Sequence, residues 1–319
     1  MARAPIAVGE EQVGPGRRGR VDLPTGNLIS GSPIWMTAHV LHGRTDGPTV
    51  WLSAAVHGDE ILGVEVIRRV LAAVDVRSLR GTILAVPIVN VHGFNTGDRY
   101  LPDRRDLNRS FPGSARGSFA ARLAKVLMDH VVTPSDIGID LHTGSLGRSN
   151  LPQIRADLSD ERTLELSRVF GAPIMIDSNT RDGSLRQVAT ERGKTVLLFE
   201  GGEALRFDER AIEAATAGVL RVLRHLDMVD VEVEAGDEPA RSSGSGWVRA
   251  SRSGIVHLEE PLGARVDKGQ VIARLYGPHG ERHSKLKARY DGVVIGLAQH
   301  PLVNRGDAVC HIARVEEDA

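Results

Sequence analysis

Cysteine is almost missing from this chain. Cys310 is the only one among 319 residues, which excludes an intrachain disulfide and a zinc cluster built on thiolates and fits a reducing compartment, with the cytoplasm as the default. An excess of either charge is missing too. Forty Lys and Arg stand against 41 Asp and Glu, for a net charge of −1; the two signs are interspersed, so no field favours nucleic acid or anionic lipid as a partner. Long apolar runs are lacking. The longest, such as TILAVPIVNV at 82–91, fall well short of the roughly 20 residues that span a bilayer. The opening MARAPIAVGEEQ has no apolar h-region of a signal peptide. These absences point to a soluble protein whose partner is a small molecule, with neither nucleic acid nor membrane involved.

What is present is an alternation of short apolar runs with amphipathic stretches. TVWLSAAV (49–56), TILAVPIVNV (82–91), DIGIDLHT (136–143) and KTVLLFEGG (194–202) read as buried strands; ILGVEVIRRVLAAV (61–74), SFAARLAKVLMDHVV (118–132) and ERAIEAATAGVLRVLRHLD (209–227) read as helices. That order implies an α/β fold with a largely parallel or mixed sheet. The length implies two domains. Residues 231–247, VEVEAGDEPARSSGSGW, lose periodicity and gain Gly, Ser and charge, the signature of a linker or domain edge. The division falls at 1–238 and 239–319. Beyond it, GIVHLEEPLGARVDKGQVIARL (254–275) is echoed by GVVIGLAQHPLVNRGDAVCHIA (292–313), and two copies of short strands with Gly turns imply a small β barrel or sandwich of pseudo-twofold kind. It is similar to lipoyl and biotinyl carriers. Lys285 and Lys287 lack a carrier's setting for modification, so the expectation is an unmodified structural module.

His57 and Glu60 follow directly on the first strand, and His142 lies inside IDLHTG. Two imidazoles and a carboxylate suit a borderline divalent ion and leave a position for water, as catalytic zinc sites do. One zinc per chain is the expectation. HxxE would place its ligands one turn apart if Glu60 began the following helix; Gly58 would permit a sharp turn, and Asp59 fits a polar pocket. His142 has a second reading, as a buried imidazole capped by Asp140 or Thr143. In the Arg- and Asp-rich stretch 97–113 the adjacent Asn108 and Arg109 offer an amide and a planar guanidinium, the pair suited to a substrate carboxylate. Arg99, beside Tyr100, offers a cation near a scissile carbonyl. Glu200 ends the strand KTVLLFE and is the general base of choice, with Glu203 as the rival.

HGDE at 57–60, DLNRSFPG at 106–113, DLHTG at 140–144 and FEGG at 199–202, in that order, resemble the succinylglutamate desuccinylase and aspartoacylase family, a branch of the zinc carboxypeptidase superfamily. The resemblance covers roughly residues 20–230 and extends to the appended β module. It implies a zinc carboxypeptidase-like mixed sheet flanked by helices, zinc on His57, Glu60 and His142, Glu200 as acid/base, Asn108 and Arg109 on the substrate α-carboxylate, and Arg99 polarising the carbonyl. Family members place the polarising arginine nearer the Asn-Arg pair, so Arg104 and Arg105 compete with Arg99. Arg155, Arg181 and Arg186 are available to read the acyl group. The implied activity is hydrolysis of an N-acyl amino acid, or a similar small N-acylated amine, to a carboxylic acid and an amine. Its rivals are a zinc carboxypeptidase acting on short peptides and a non-catalytic binding relative. A homo-oligomer is the default assembly of soluble enzymes.

Overall fold

A computed structural model describes residues 3–145, 147–279 and 284–315. Its centre follows from alternation. In the strand Thr45–Ala54, Val50, Leu52 and Ala54 enter one buried cluster while Trp51 enters another, as expected of a strand covered on both faces. The strand Ile137–Gly144 repeats the pattern: Ile137, Ile139 and Leu141 join the first cluster, which turns Gly138, Asp140 and His142 to the opposite face. Gly138 is the register partner of Trp51. A Cβ at Gly138 would lie 1.9 Å from the indole ring, so only bare backbone lets the largest side chain of the neighbouring strand cross it.

Among the described residues the main sheet has twelve strands. From one edge they run Arg265–Val266, Gly292–Ala298, Ala308–Val315, Ala240–Arg249, Ile174–Asp177, Arg148–Ala156, Thr195–Glu203, Ile137–Gly144, Thr45–Ala54, Arg80–Val86, Pro33–His42 and Arg17–Asn27. The four strands from Thr195–Glu203 to Arg80–Val86 are mutually parallel, and their neighbours on both sides, Arg148–Ala156 and Pro33–His42, are antiparallel to them. This is the expected mixed sheet. The helices Leu62–Ala73, Glu161–Phe170 and Glu209–His225 bury apolar stripes, including Ile67, Phe170 and Val219, on one face. Phe119–Leu127 and Leu185–Glu191 cover the other through Leu123, Leu127 and Leu185. Burial of each such side chain contributes about 1.5–3 kcal/mol. None of these helices is long and apolar enough to cross a membrane.

Two sequence expectations need correction. The run 82–91 is a strand only as far as Val86; Asn90 then caps the short helix Val91–Thr96 by accepting from Gly93 N. The stretch 231–247 is irregular only in its first part. Ala240–Arg249 forms a strand that pairs in parallel with Ile174–Asp177 and antiparallel with Ala308–Val315. At one position in it a neighbour approaches closely: a Cβ on Gly246 would meet the Tyr290 hydroxyl at 2.7 Å.

The repeat appears as an exchange. Gly254–Leu258 pairs with Val271–Tyr276 of its own copy and with the short Leu302–Val303 of the other; Gly292–Ala298 pairs with Ala308–Val315 and takes Arg265–Val266 in return. Gly269 and Gly306 hold equivalent turns at φ 90° and 93°, a region L-residues avoid. Lys285 and Lys287 are exposed on the strand Ser284–Lys287, while the adjoining residues 280–283 lie outside the described residues.

Candidate active site

The parallel strands end together, and their carboxyl ends carry the chemistry, as in open α/β sheets generally. After Ala54 the chain bends through Ala55 at φ 48°, held by hydrogen bonds from Val89 N to Ala54 O (3.1 Å) and from Asn90 N to Ala55 O (2.8 Å). His57 and Glu60 follow. Glu60 lies just before the helix Leu62–Ala73, outside its first turn, and is linked to His57 by a local backbone bond, Glu60 N to His57 O, of 3.1 Å. Gly58 is glycine for a reason other than the sharp turn expected: a Cβ there would strike the backbone of Gly93 at 2.0 Å. Asp59 is buried, and burial first, then Glu60, pushes its carboxyl up.

His57, Glu60 and His142 converge. All three are buried, and one ligand atom from each lies within 4.8 Å of the others. Glu60 Oε1 is 2.8 Å from His57 Nδ1, and Glu60 Oε2 is 2.8 Å from His142 Nδ1. The outer nitrogens are anchored in turn: His142 Nε2 on Asp140 Oδ2 at 2.8 Å, and His57 Nε2 on Asp106 Oδ1 at 3.1 Å. Ser53 donates to the other Asp140 oxygen at 2.7 Å, and Asn108 N donates to Asp106 at 2.8 Å. Each imidazole therefore turns Nδ1 inward and leans on a carboxylate behind it, the arrangement that orients metal-binding histidines. Asp140 accordingly caps His142, as its alternative reading supposed, but from behind, leaving Nδ1 directed at the cluster.

The field at this point favours a cation. Burial works against charge on His57, yet Glu60 and Asp106 raise its pKa; burial works against His142 more fully, yet Asp140 and Glu60 raise it well above the ordinary value. Glu60, buried as well, is held well below the usual carboxylate range by the two imidazoles. An environment that retains extra protons on two buried histidines attracts a divalent ion in their place. His57 Nδ1, close to Glu60 but outside hydrogen-bond geometry, is a buried nitrogen without a hydrogen-bond partner. The nitrogen and oxygen donors thus fit a borderline metal such as zinc.

Arg99 reaches this cluster, donating to Glu60 Oε1 at 2.9 Å and to Asp106 Oδ2 at 3.3 Å. Its competitors do not: Arg104, at φ 58°, and Arg105, 3.7 Å from Asp103, are exposed on the surface. Beyond the cluster opens a cavity of about 540 Å³ whose wall includes Arg99, Asn108, Arg109, Asn150, Glu200 and Trp247. Asn108 is buried and accepts from Leu185 N through Oδ1 at 2.8 Å, which leaves its Nδ2 for a ligand. Arg109 folds back on the Asn108 carbonyl. Glu200 is the register partner of His142, and its rival Glu203 is not among the lining residues.

Arg155, Arg181 and Arg186 line the same space. Arg186 is buried, donates through Nη2 to the carbonyls of Ser178 (3.0 Å) and Asn179 (2.9 Å), and leaves Nη1 without a partner. Burial, then Arg155, pushes its pKa down to about 10. Several lining residues escaped sequence reasoning. Asn150, Ser245, Trp247 and His311 have no motif, and the last three come from the C-terminal module. Trp247 and His311 are cross-strand partners with rings stacked at 4.4 Å, and the Arg148 guanidinium lies 5.2 Å from the indole centroid. Burial, then Arg155 and Arg148, pushes His311 down to about 3, so it is neutral at physiological pH.

Residues 46–226 match the succinylglutamate desuccinylase/aspartoacylase catalytic domain. The chain belongs to this family. A relative from Halomonas elongata, an N-alpha-acetyl-L-2,4-diaminobutyric acid deacetylase, is 30% identical over 315 residues, covering 94% of this chain and 92% of that protein. Among solved structures of similar fold, the product-bound ectoine utilization protein of Ruegeria pomeroyi has a TM-score of 0.83 at 25% identity, covering 93% of this chain and 94% of that one. A family member from Rhodobacter sphaeroides has a TM-score of 0.84 at 26% identity, covering 94% and 96%. These likenesses extend past residue 226 into the C-terminal module. By family, then, the chain is a hydrolase of the deacylase type.

Proposed function

We propose that this protein is a zinc-dependent amidohydrolase that removes the acyl group from an N-acyl amino acid or a similar small N-acylated amine. The observation that carries the proposal is the meeting of His57, Glu60 and His142 in the wall of a cavity that also holds Glu200, Asn108 and Arg109. The three ligands would hold one zinc ion, which when bound supplies a Lewis acid that makes water more acidic and polarises a carbonyl. Asn108 Nδ2 and Arg109 grip the substrate α-carboxylate and set the amide between the metal ligands and Glu200. Glu200 takes a proton from the attacking water and delivers it to the leaving amine. Arg99 places positive charge beside the carbonyl as its oxygen becomes negative.

The C-terminal residues 239–319 act as a second domain of barrel-sandwich type, unmodified and structural. Its Ser245, Trp247 and His311 narrow the cavity, which favours small substrates over peptides. The single buried Cys310 and balanced charge suit a cytoplasmic enzyme whose partner is a small molecule, without nucleic acid or membrane, with a homo-oligomer as the default assembly. The Halomonas relative makes N-alpha-acetyl-L-2,4-diaminobutyric acid the first compound to assay, beside N-acetyl-L-aspartate, N-succinyl-L-glutamate and short peptides. Glu200→Gln should keep zinc content and substrate binding but lower turnover by about a thousandfold or more. Near-normal turnover would remove Glu200 from its role, and peptide cleavage exceeding deacylation would replace the proposed substrate class.

A further inference from the structure

Asn150 is only 6% exposed, yet it carries no element of the family motifs. It stands in the strand Arg148–Ala156, between the strand of Glu200 and the C-terminal strand Gly292–Ala298. Its Nδ2 donates to Glu200 Oε2. The two are not opposite one another: Glu200 faces Gln153 and Asn150 faces Gly202, with an irregularity of register between. The amide thus reaches diagonally to one carboxylate oxygen. The other oxygen, Oε1, has Arg155 Nε at 3.7 Å, beyond hydrogen-bond range.

Behind Asn150 lies bare backbone. Gly296 is its register partner, and a Cβ added there would sit 3.0 Å from Asn150 Oδ1, 3.2 Å from His311 Cβ and 3.4 Å from the Trp247 ring. The same strand is fastened to its neighbour by Gln153 Nε2 donating to Ile295 O at 3.2 Å and by Gln299 N donating to Gly147 O at 2.7 Å. The amide of Asn150 thus donates to Glu200 through Nδ2, while its oxygen faces backbone of the C-terminal module where a side chain would crowd it. A buried donor on one carboxylate oxygen restricts how that carboxylate can turn, which is what a proton-transferring group requires of its surroundings.

We propose that Asn150 is a positioning residue for Glu200, and that the C-terminal module sets it through the bare backbone of Gly296. This rests on Glu200 being the acid/base. The module thereby contributes to turnover as well as to the cavity wall. A merely structural asparagine would satisfy a desolvated carboxylate without governing its aim.

The test is a double-mutant cycle on the full-length, zinc-loaded chain, assayed with N-alpha-acetyl-L-2,4-diaminobutyric acid, N-acetyl-L-aspartate and N-succinyl-L-glutamate. Asn150→Ala should lower kcat by about 10- to 100-fold with KM and zinc content nearly unchanged. In the Glu200→Gln background the same substitution should cost nothing further in the residual rate, because Asn150 acts through a carboxylate no longer there. Gly296→Ala should lower kcat in the same sense by a smaller factor. Full kcat in Asn150→Ala, or an undiminished loss in the Glu200→Gln background, overturns the proposal. Near-normal turnover in Glu200→Gln alone would instead overturn the acid/base assignment. A crystal structure of Asn150→Ala decides independently of turnover: a turned or split Glu200 carboxylate supports the proposal, and an unchanged single orientation defeats it.

Discussion

The two ends of the cavity are built on opposite plans. At the metal end, His57, Glu60 and His142 are almost fully buried, and each is braced by a further group: Asp106, Asp140, or the Thr143 N–H, which donates to Glu60 at 3.1 Å. At the far end, Arg148, Arg155 and Arg181 are half-buried or exposed, and Arg186 keeps a donor without a partner. The first end turns braced nitrogen and oxygen donors toward one another; the second has an arginine donor to spare. On the proposed function, reaction type rests on the braced end and substrate choice on the less buried one. Damage to the first end should be severe and indifferent to substrate, and damage to the second milder and dependent on substrate.

The sharpest way to break this contrast is His142→Ala, which should abolish stoichiometric zinc and reduce turnover by about a thousandfold or more on every substrate; metal analysis beside the assay checks it, and full zinc content with activity would end the comparison. Asp140→Ala, one step removed, should weaken zinc binding by roughly 10- to 100-fold, read by competition with a chelating dye. An equal loss in a surface variant such as Arg105→Ala would deny Asp140 its bracing role. The pH dependence carries a sign. His57 and His142 have raised pKa values in the metal-free protein, so their contribution to its stability is fully present below about pH 6.5 and lost as pH rises through the raised values. Zinc held by these ligands would have to displace those protons. The rise in Tm on adding zinc should therefore be larger at pH 8 than at pH 6, and the reverse ordering in calorimetry would contradict the protonated cluster. At the other end, Trp247→Ala should change kcat/KM by only about threefold to tenfold and unequally among acyl groups; an equal change on all substrates would deprive that wall of selectivity.

The metal end was legible in sequence because it is made of residues close to one another along the chain or close to a strand end. HGDE and DLHTG each follow an apolar run, and a parallel sheet brings such ends together without further information. Asp106 and Asp140 were visible inside their motifs, and Asp140 could be read as a cap on His142, but nothing local says that Asp106, 49 residues away, leans on His57. Asn150, Trp247 and His311 were illegible for a different reason. Asn150 meets Gly292–Ala298 from far along the chain, and His311 and Trp247 come in on the strands paired beyond it; the Gly- and Ser-rich segment before Trp247 imitates a linker. The strand Arg17–Asn27 escaped notice because charged and polar residues alternate through it at the sheet edge, and the adjoining Pro33–His42 mixes apolar residues with Thr37, His39 and His42.

The exchange of short strands between the two C-terminal copies has a consequence for how this protein can vary. Arg265–Val266 is stitched to the second copy and Leu302–Val303 to the first, so neither copy owns a complete set of partners. Half of the module is no smaller module; it is two frayed edges. Shortening either copy would unpick both, and the loosening would travel along Gly292–Ala298 to the strand beside Glu200. Length can be gained or lost safely at the exposed tips between strands, whereas the crossings themselves tolerate neither.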